Sequence, residues 1–328
     1  MCGDGEGKMT KAYAAYNKDA KIRLQSSSGG VFHALAVSVI EEGGVVFGVR
    51  FDERFRAVYD TAETVGELER LQGAKYVLPS MDGVCERVGE YLKEGRKVLF
   101  TGLPCHTAGL YASLRNRETD RLVCADLVCH GTPERAAWEA YLRHEEEKTG
   151  EIKNIRMRDK SKGWADYRIV IESSSGKVKS EPAAENLYMR GYTRDLFLRR
   201  PCYDCRFRGV DRLSDITLGD YWGVSARHRE LDTSGGVSLV FVHSQKGMEL
   251  LNRAKERLVC TETDAGYACA QNPAVTHSPK LPEGREDVLA QLRGGTDFSQ
   301  CVKPYLRERF TTKFRRKIRK FKIIFQNK

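Results

Sequence analysis

Four cysteines sit where a chain can do chemistry rather than where it fills a core. Cys105 closes the run Val98-Leu99-Phe100-Thr101-Gly102-Leu103-Pro104, and Cys129 closes Leu122-Val123-Cys124-Ala125-Asp126-Leu127-Val128 and is followed by His130-Gly131. Cys202 and Cys205 form a Cys-x-x-Cys pair in Arg200-Pro201-Cys202-Tyr203-Asp204-Cys205-Arg206. Two strand ends and one chelating loop can meet at one point of an α/β protein, and four thiolates at one point make a metal or iron–sulfur site. The Cys-x-x-Cys pair does not lie between a strand and a helix of a βαβ unit, so a thioredoxin-type dithiol fits poorly. Zinc usually takes ligands from two tight pairs, whereas iron–sulfur clusters accept scattered thiolates. The residues alone favour iron–sulfur and leave zinc and redox or buried thiols open.

The other cysteines carry no such signal. Cys124 falls inside a buried strand, Cys85, Cys260 and Cys269 have no partner in spacing, and Cys2 lies in a polar, Gly-rich terminus. Ser28-Gly29-Gly30 precedes a helix, where free backbone N–H groups can hold a phosphate. Gly73-Ala74-Lys75-Tyr76 sets a cation beside an aromatic ring, which suits a flavin or a phosphate. Asp215-Ile216-Thr217-Leu218-Gly219-Asp220-Tyr221-Trp222-Gly223 ends a strand with carboxylates, aromatics and glycines, as a pocket wall or a tight turn would. His130, beside Cys129, is the histidine to weigh as functional. No Ser-His-Asp arrangement, Walker loop or His-x-x-x-His pair is present, and no side-chain acid or base can be named.

These residues need elements to hold them. The pattern predicts strands at Lys11–Tyr16, Val45–Phe51, Val98–Thr101 and Leu122–Val128. Helices are predicted at Val31–Glu42, Val65–Leu71, 83–94, Cys105–Arg115 and Pro133–Thr149. Beyond about residue 150, Ile152–Arg158 and Tyr167–Glu172 read as antiparallel strands, Glu185–Leu198 as a helix, Ile216–Leu218 and Val237–His243 as strands, and Lys246–Arg257 as a helix. The signal from there to Asp297 is weak. The expected fold is mixed α/β: a mixed sheet flanked by helices, an antiparallel second half and a C-terminal amphipathic helix. One composite domain spans 11–300, in halves of about 11–150 and 151–300, with a basic tail at 301–328.

The chain of 328 residues can bury a sizeable core. Ten cysteines without an export signal argue for a reducing cytoplasm and against a disulfide scaffold. The run Val31–Ile40 contains His33 and is too short to span a bilayer. The net charge of +10 is misleading, because Arg307–Lys328 holds ten Lys/Arg and one Glu. The rest is nearly neutral, which argues against nucleic-acid binding. In the tail Phe310, Phe314, Ile318, Phe321 and Phe325 share one helical face, with Arg315, Arg316, Arg319, Lys320 and Lys322 around the others. Such a helix either docks on the domain or lies on an anionic membrane surface at the inner face.

Taken together, the motifs resemble one family. Ser27–Gly30, Gly73–Tyr76, Gly102–His106 (Gly-Leu-Pro-Cys-His), Asp126–Gly131 (Asp-Leu-Val-Cys-His-Gly), Arg158–Trp164, Arg200–Cys205 and Ser214–Gly223 follow, in order and approximate spacing, the coenzyme F420 hydrogenase/dehydrogenase beta-subunit family over about residues 11–260. The resemblance implies a flavoprotein oxidoreductase subunit that passes electrons between one [4Fe–4S] cluster, FAD and a diffusible carrier or substrate. It implies cluster ligands at Cys105, Cys129, Cys202 and Cys205, and flavin contacts at Ser28, Gly29, Gly30, Lys75 and Tyr76. A ferredoxin-like segment carried by many members is reduced here to Cys2, which implies a ferredoxin-like or other electron-transfer partner. The Cys-His-Gly and Asp-Tyr-Trp-Gly forms resemble the bacterial branch associated with polysaccharide biosynthesis. The rival expectations are an accessory protein of surface-polysaccharide synthesis without electron transfer, and a zinc-stabilised binding module.

Overall fold

The computed structural model describes residues 10–115 and 118–306. Its first half builds outward from β1 (Lys11–Asn17), α1 (Ala20–Gln25), α2 (Val31–Ile40), β2 (Val45–Phe51) and β3 (Ala57–Ala62). Then come α3 (Val84–Lys93), β4 (Val98–Gly102), α4 (Pro104–Leu114), β5 (Leu122–Leu127) and α5 (Arg135–Thr149). The second half contributes β6 (Ile152–Asp159), β7 (Arg168–Ser173), β8 (Val178–Pro182), α6 (Leu187–Thr193), β9 (Ile216–Asp220) and α7 (Val224–Arg227). It ends with β10 (Ser238–Val242), α8 (Gln245–Ala254), β11 (Leu258–Thr263), α9 (Ala265–Gln271), α10 (Arg285–Arg293) and α11 (Phe298–Leu306).

The fold is mixed α/β, as the sequence predicts. An eight-stranded sheet runs β11-β1-β10-β9-β5-β4-β2-β3, and a three-stranded antiparallel sheet runs β6-β7-β8. In the large sheet β2, β4, β5 and β9 are parallel neighbours, with antiparallel pairs at both sides. The continuous apolar runs of β4 and β5 follow from this: central parallel strands are covered on both faces. On one face α2 and α8 bury Leu35, Val39, Leu250 and Leu251 against the strands. On the other, α3 and α4 pack with Phe47, Phe100 and Leu110. Alongside the large sheet, α5, α6, α10 and α11 close over the small sheet around Trp138, Tyr141, Tyr188 and Phe298.

Several boundaries differ from expectation. The predicted helix Glu185–Leu198 is helical only over Leu187–Thr193, because Asp195 turns the chain with φ +64°. Val65–Leu71 is a 3-10 helix, opened by a capping box between Thr64 and Glu67. Elements α1, β3, β8, β11 and α9–α11 were not predicted. The helix α11 crosses residue 300 and buries Cys301, Val302 and Leu306. The predicted tail helix beyond it lies outside the described residues.

Candidate functional site: four thiols beside a cavity

Three devices deliver the four thiols. β4 ends in the core; Leu103 caps the following helix and Pro104 opens it, so Cys105 sits in the first turn of α4. Beyond β5, the Val128 N–H donates to the Leu218 carbonyl at 2.8 Å, which carries Cys129 past the sheet edge. Cys202 lies in a 3-10 helix over Arg200–Asp204, with Cys205 as its cap. That loop is tied down by the Arg199 N–H on the Thr132 carbonyl at 2.8 Å and by the Cys205 N–H on Ser278 Oγ at 3.0 Å.

The four thiols form one electrostatic group. Burial first, then Cys205 and Cys202, push the Cys105 thiol up. Burial, then Cys202 and Cys105, push Cys129 up to about 12, against the pull of Arg208. Without a metal these two thiols therefore stay protonated at neutral pH, and a bound metal would displace the protons. One backbone N–H points at sulfur: Thr132 donates to Cys202 Sγ at 3.4 Å. Gly131 has φ +145°, and a Cβ there would lie 2.9 Å from Leu198 Cδ1 and 3.4 Å from Cys202 Cβ, so the turn between the two sulfurs needs glycine.

No three of these sulfurs lie within 4.8 Å of one another. A tetrahedral zinc, with Zn–S near 2.3 Å, would draw them to about 3.8 Å. Among the described residues the triad that does meet that spacing is His144, Glu147 and Asp297. There the Lys148 ammonium hydrogen-bonds His144 Nε2 and already supplies a cation.

Two histidines flank the thiols. His130 Nε2 pairs with Asp195 Oδ1 at 2.6 Å, and the His130 carbonyl accepts from Arg208 Nη2 at 2.7 Å. His106 Nδ1 pairs with Tyr59 Oη at 3.0 Å. Burial, helped by Arg199, lowers His106 to about 4, so its ring is neutral near pH 7.

A cavity of about 630 Å³ opens beside the thiols. Ser28, Gly30, Lys75 and Tyr76 line it together with Cys129 and His130. Four of the five residues expected to contact a flavin, and one of the four thiols, thus line a common space. Gly30 caps α2 with φ +84° and no side-chain cap, so the uncapped N-terminus of α2 opens there. Lys75 Nζ donates to the Leu71 and Gln72 carbonyls, at 3.3 and 2.5 Å, and burial lowers its pKa to about 7. Gly29 is different. It does not line the cavity; a Cβ there would lie 2.4 Å from the Ala15 carbonyl oxygen and 2.8 Å from the Ser238 nitrogen. Glycine is needed at 29 because the loop presses on β1 and β10.

The sequence carries no role for Arg158, Tyr167 or Tyr192, which line the cavity; Trp222, in the run expected to form a pocket wall or a tight turn, lines it too. Arg158 and Trp222 lie in motifs that were recognised, so their motifs were the available signal. Lys160 bolts these parts together, its Nζ donating to the carbonyls of Arg23, Ser28 and Gly235 at 2.6, 2.6 and 2.7 Å.

Fold and site define an α/β protein that groups four thiols, one of which, Cys129, lines a cofactor-sized cavity. The description "Coenzyme F420 hydrogenase/dehydrogenase, beta subunit" matches in two parts, the N-terminal at residues 12–84 and the C-terminal at residues 95–266. The chain belongs to that family. Among solved structures it is similar to a chain of the F420-reducing [NiFe] hydrogenase complex from Methanosarcina barkeri, studied by xenon derivatization. The TM-score is 0.54 at 17% identity, over 90% of this chain and 91% of that one, a likeness of fold. No curated protein matches the chain.

Proposed function

We propose that this chain is the electron-transfer subunit of an oxidoreductase, holding one [4Fe–4S] cluster on Cys105, Cys129, Cys202 and Cys205 and FAD in the adjoining cavity. Electrons pass between the two and a diffusible carrier or substrate. The observation that carries this reading is the placement of Cys129, which belongs to the thiol group and also lines the cavity. When bound, the cluster moves single electrons and the flavin converts them to two-electron chemistry.

The chain's own residues position and tune. The Thr132 N–H and the Arg208 guanidinium stabilise negative charge on sulfur, which would raise the potential of a cluster held there. Ser28, Gly30, Lys75 and Tyr76 would line the flavin, with the uncapped start of α2 open to its diphosphate and Lys75 adding positive charge nearby. The cluster loop exposes Arg200, Arg206 and Phe207, which suits an acidic ferredoxin-like partner. The solved relative works within a complex, which supports partner subunits.

The test is anaerobic purification followed by an absorbance spectrum and iron, sulfide and flavin analysis. A brown protein with about four irons, about four sulfides and about one flavin per chain is expected. A colourless protein carrying zinc overturns the proposal.

A further inference from the structure

Arg158 ends up in an unusual position for a buried cation. Its side chain is 6% exposed and lines the cavity. A guanidinium has five N–H donors. Nη1 donates to Asp220 Oδ2 at 2.7 Å and to Tyr76 Oη at 3.4 Å. Nε and Nη2 are buried and have no partner. Asp220 does not serve them, because its Oδ1 accepts from the Trp164 indole N–H at 3.2 Å. The Tyr167 and Trp222 rings lie 4.7 and 5.8 Å from the guanidinium carbon. Nε and Nη2 form the side-on edge of the guanidinium, whose two parallel donors match two oxygens of a phosphate or carboxylate. Lys75 differs in kind, since its ammonium is already turned to two carbonyls.

We propose that the Nε–Nη2 edge of Arg158 binds an oxyanion, phosphate or carboxylate, carried by a molecule in the cavity. Asp220 holds the guanidinium in place from the opposite edge, and the aromatic rings keep water from it. The oxyanion has two sources: the diphosphate of the flavin, or an acidic group on the carrier that reaches the flavin. The inference deepens the proposed function and rests on it for the identity of the occupant.

The experiment is calorimetric titration of the full chain with inorganic pyrophosphate at fixed ionic strength, with and without FAD. Saturable one-site binding to the flavin-free chain is expected. Arg158→Lys keeps the charge but loses the fork, and should weaken that binding by about tenfold to a hundredfold. Asp220→Asn keeps both free donors and removes a competing carboxylate, so it should bind as well or more tightly. Absence of saturable binding by the unaltered chain, equal affinity in Arg158→Lys, or loss of binding in a folded Asp220→Asn chain overturns the proposal. If FAD displaces pyrophosphate, the oxyanion is the flavin's own; if both bind together, it belongs to the carrier. A chain that binds pyrophosphate through Arg158 but takes up no flavin keeps this proposal and refutes the flavin reading, so the two fail separately.

Discussion

At the residue scale the thiols carry the clearest expectation. Replacing Cys202 with Ser should remove most of the iron, and a full iron content in that variant would reject the ligand set. Lys75 gives a pH dependence. Its folded pKa is lowered to about 7 by burial, below the ordinary lysine value. The folded chain therefore holds fewer protons than the unfolded one between about 7 and about 10.4, and stability from this group rises with pH across that window. An anionic ligand beside Lys75 favours the protonated form, so flavin affinity should fall as pH rises through 7, by up to about tenfold per unit. Lys75→Met should bind more weakly at pH 6 and lose that slope; an unchanged slope in a flavin titration would exclude Lys75. The thiols were legible because two strand ends and a Cys-x-x-Cys loop leave few other uses for cysteine. The packing of Gly29 was not legible, because a glycine against backbone and a glycine against ligand look alike in sequence. Arg158 was passed over because an arginine at a strand end ordinarily faces water.

At the scale of elements, the site depends on what presses the loops into place. Gly29→Val would drive a side chain into the Ala15 carbonyl and Ser238, costing about 3 kcal/mol or more of stability. A fall in Tm with the flavin absent is expected; loss of flavin with no change in Tm would show that this glycine acts on the ligand instead. The end of β5 is anchored by a buried ion pair, Arg212 Nη1 to Asp126 Oδ2 at 3.1 Å, with side chains 3% and 2% exposed. Thr217 Oγ1 donates to the other oxygen at 2.5 Å. Arg212→Met leaves Asp126 buried beside an apolar group and should cost roughly 3–5 kcal/mol. Chemical denaturation would check it, and a loss below about 1 kcal/mol would mean that the pair is solvated. The parallel strands were legible as unbroken apolar runs. β8 and β11 were not: β8 buries no residue fully and β11 only Leu258, so neither shows alternation. The short α9 and 3-10 turns near it gave no period to read.

At the scale of the whole molecule, the fold class was legible from the change of pattern near residue 150, but the interleaving of the halves was not. β9, from the second half, lies between β5 and β10, and β1 lies between β10 and β11. Pairing between distant strands leaves no local mark in sequence. The basic tail stays a question of partner. Leu306 is 2% exposed, so a fair truncation ends there rather than earlier. The full chain should sediment with anionic vesicles at low salt and the shortened chain should not; equal behaviour would leave docking or a protein partner.

The interleaving also sets a timetable for synthesis. The first strand has no neighbour until β10 and β11 have been made, about 220 residues later. A growing chain therefore presents Cys105 and Cys129 to its surroundings long before the Cys202–Cys205 loop or the cavity floor at Asn272–Ala274 exists. On the proposed ligand set, a cluster could take its final form only after Cys205 has been made. Ribosome-bound fragments should carry reactive, alkylatable thiols that the released protein, once supplied with iron and sulfide, no longer offers.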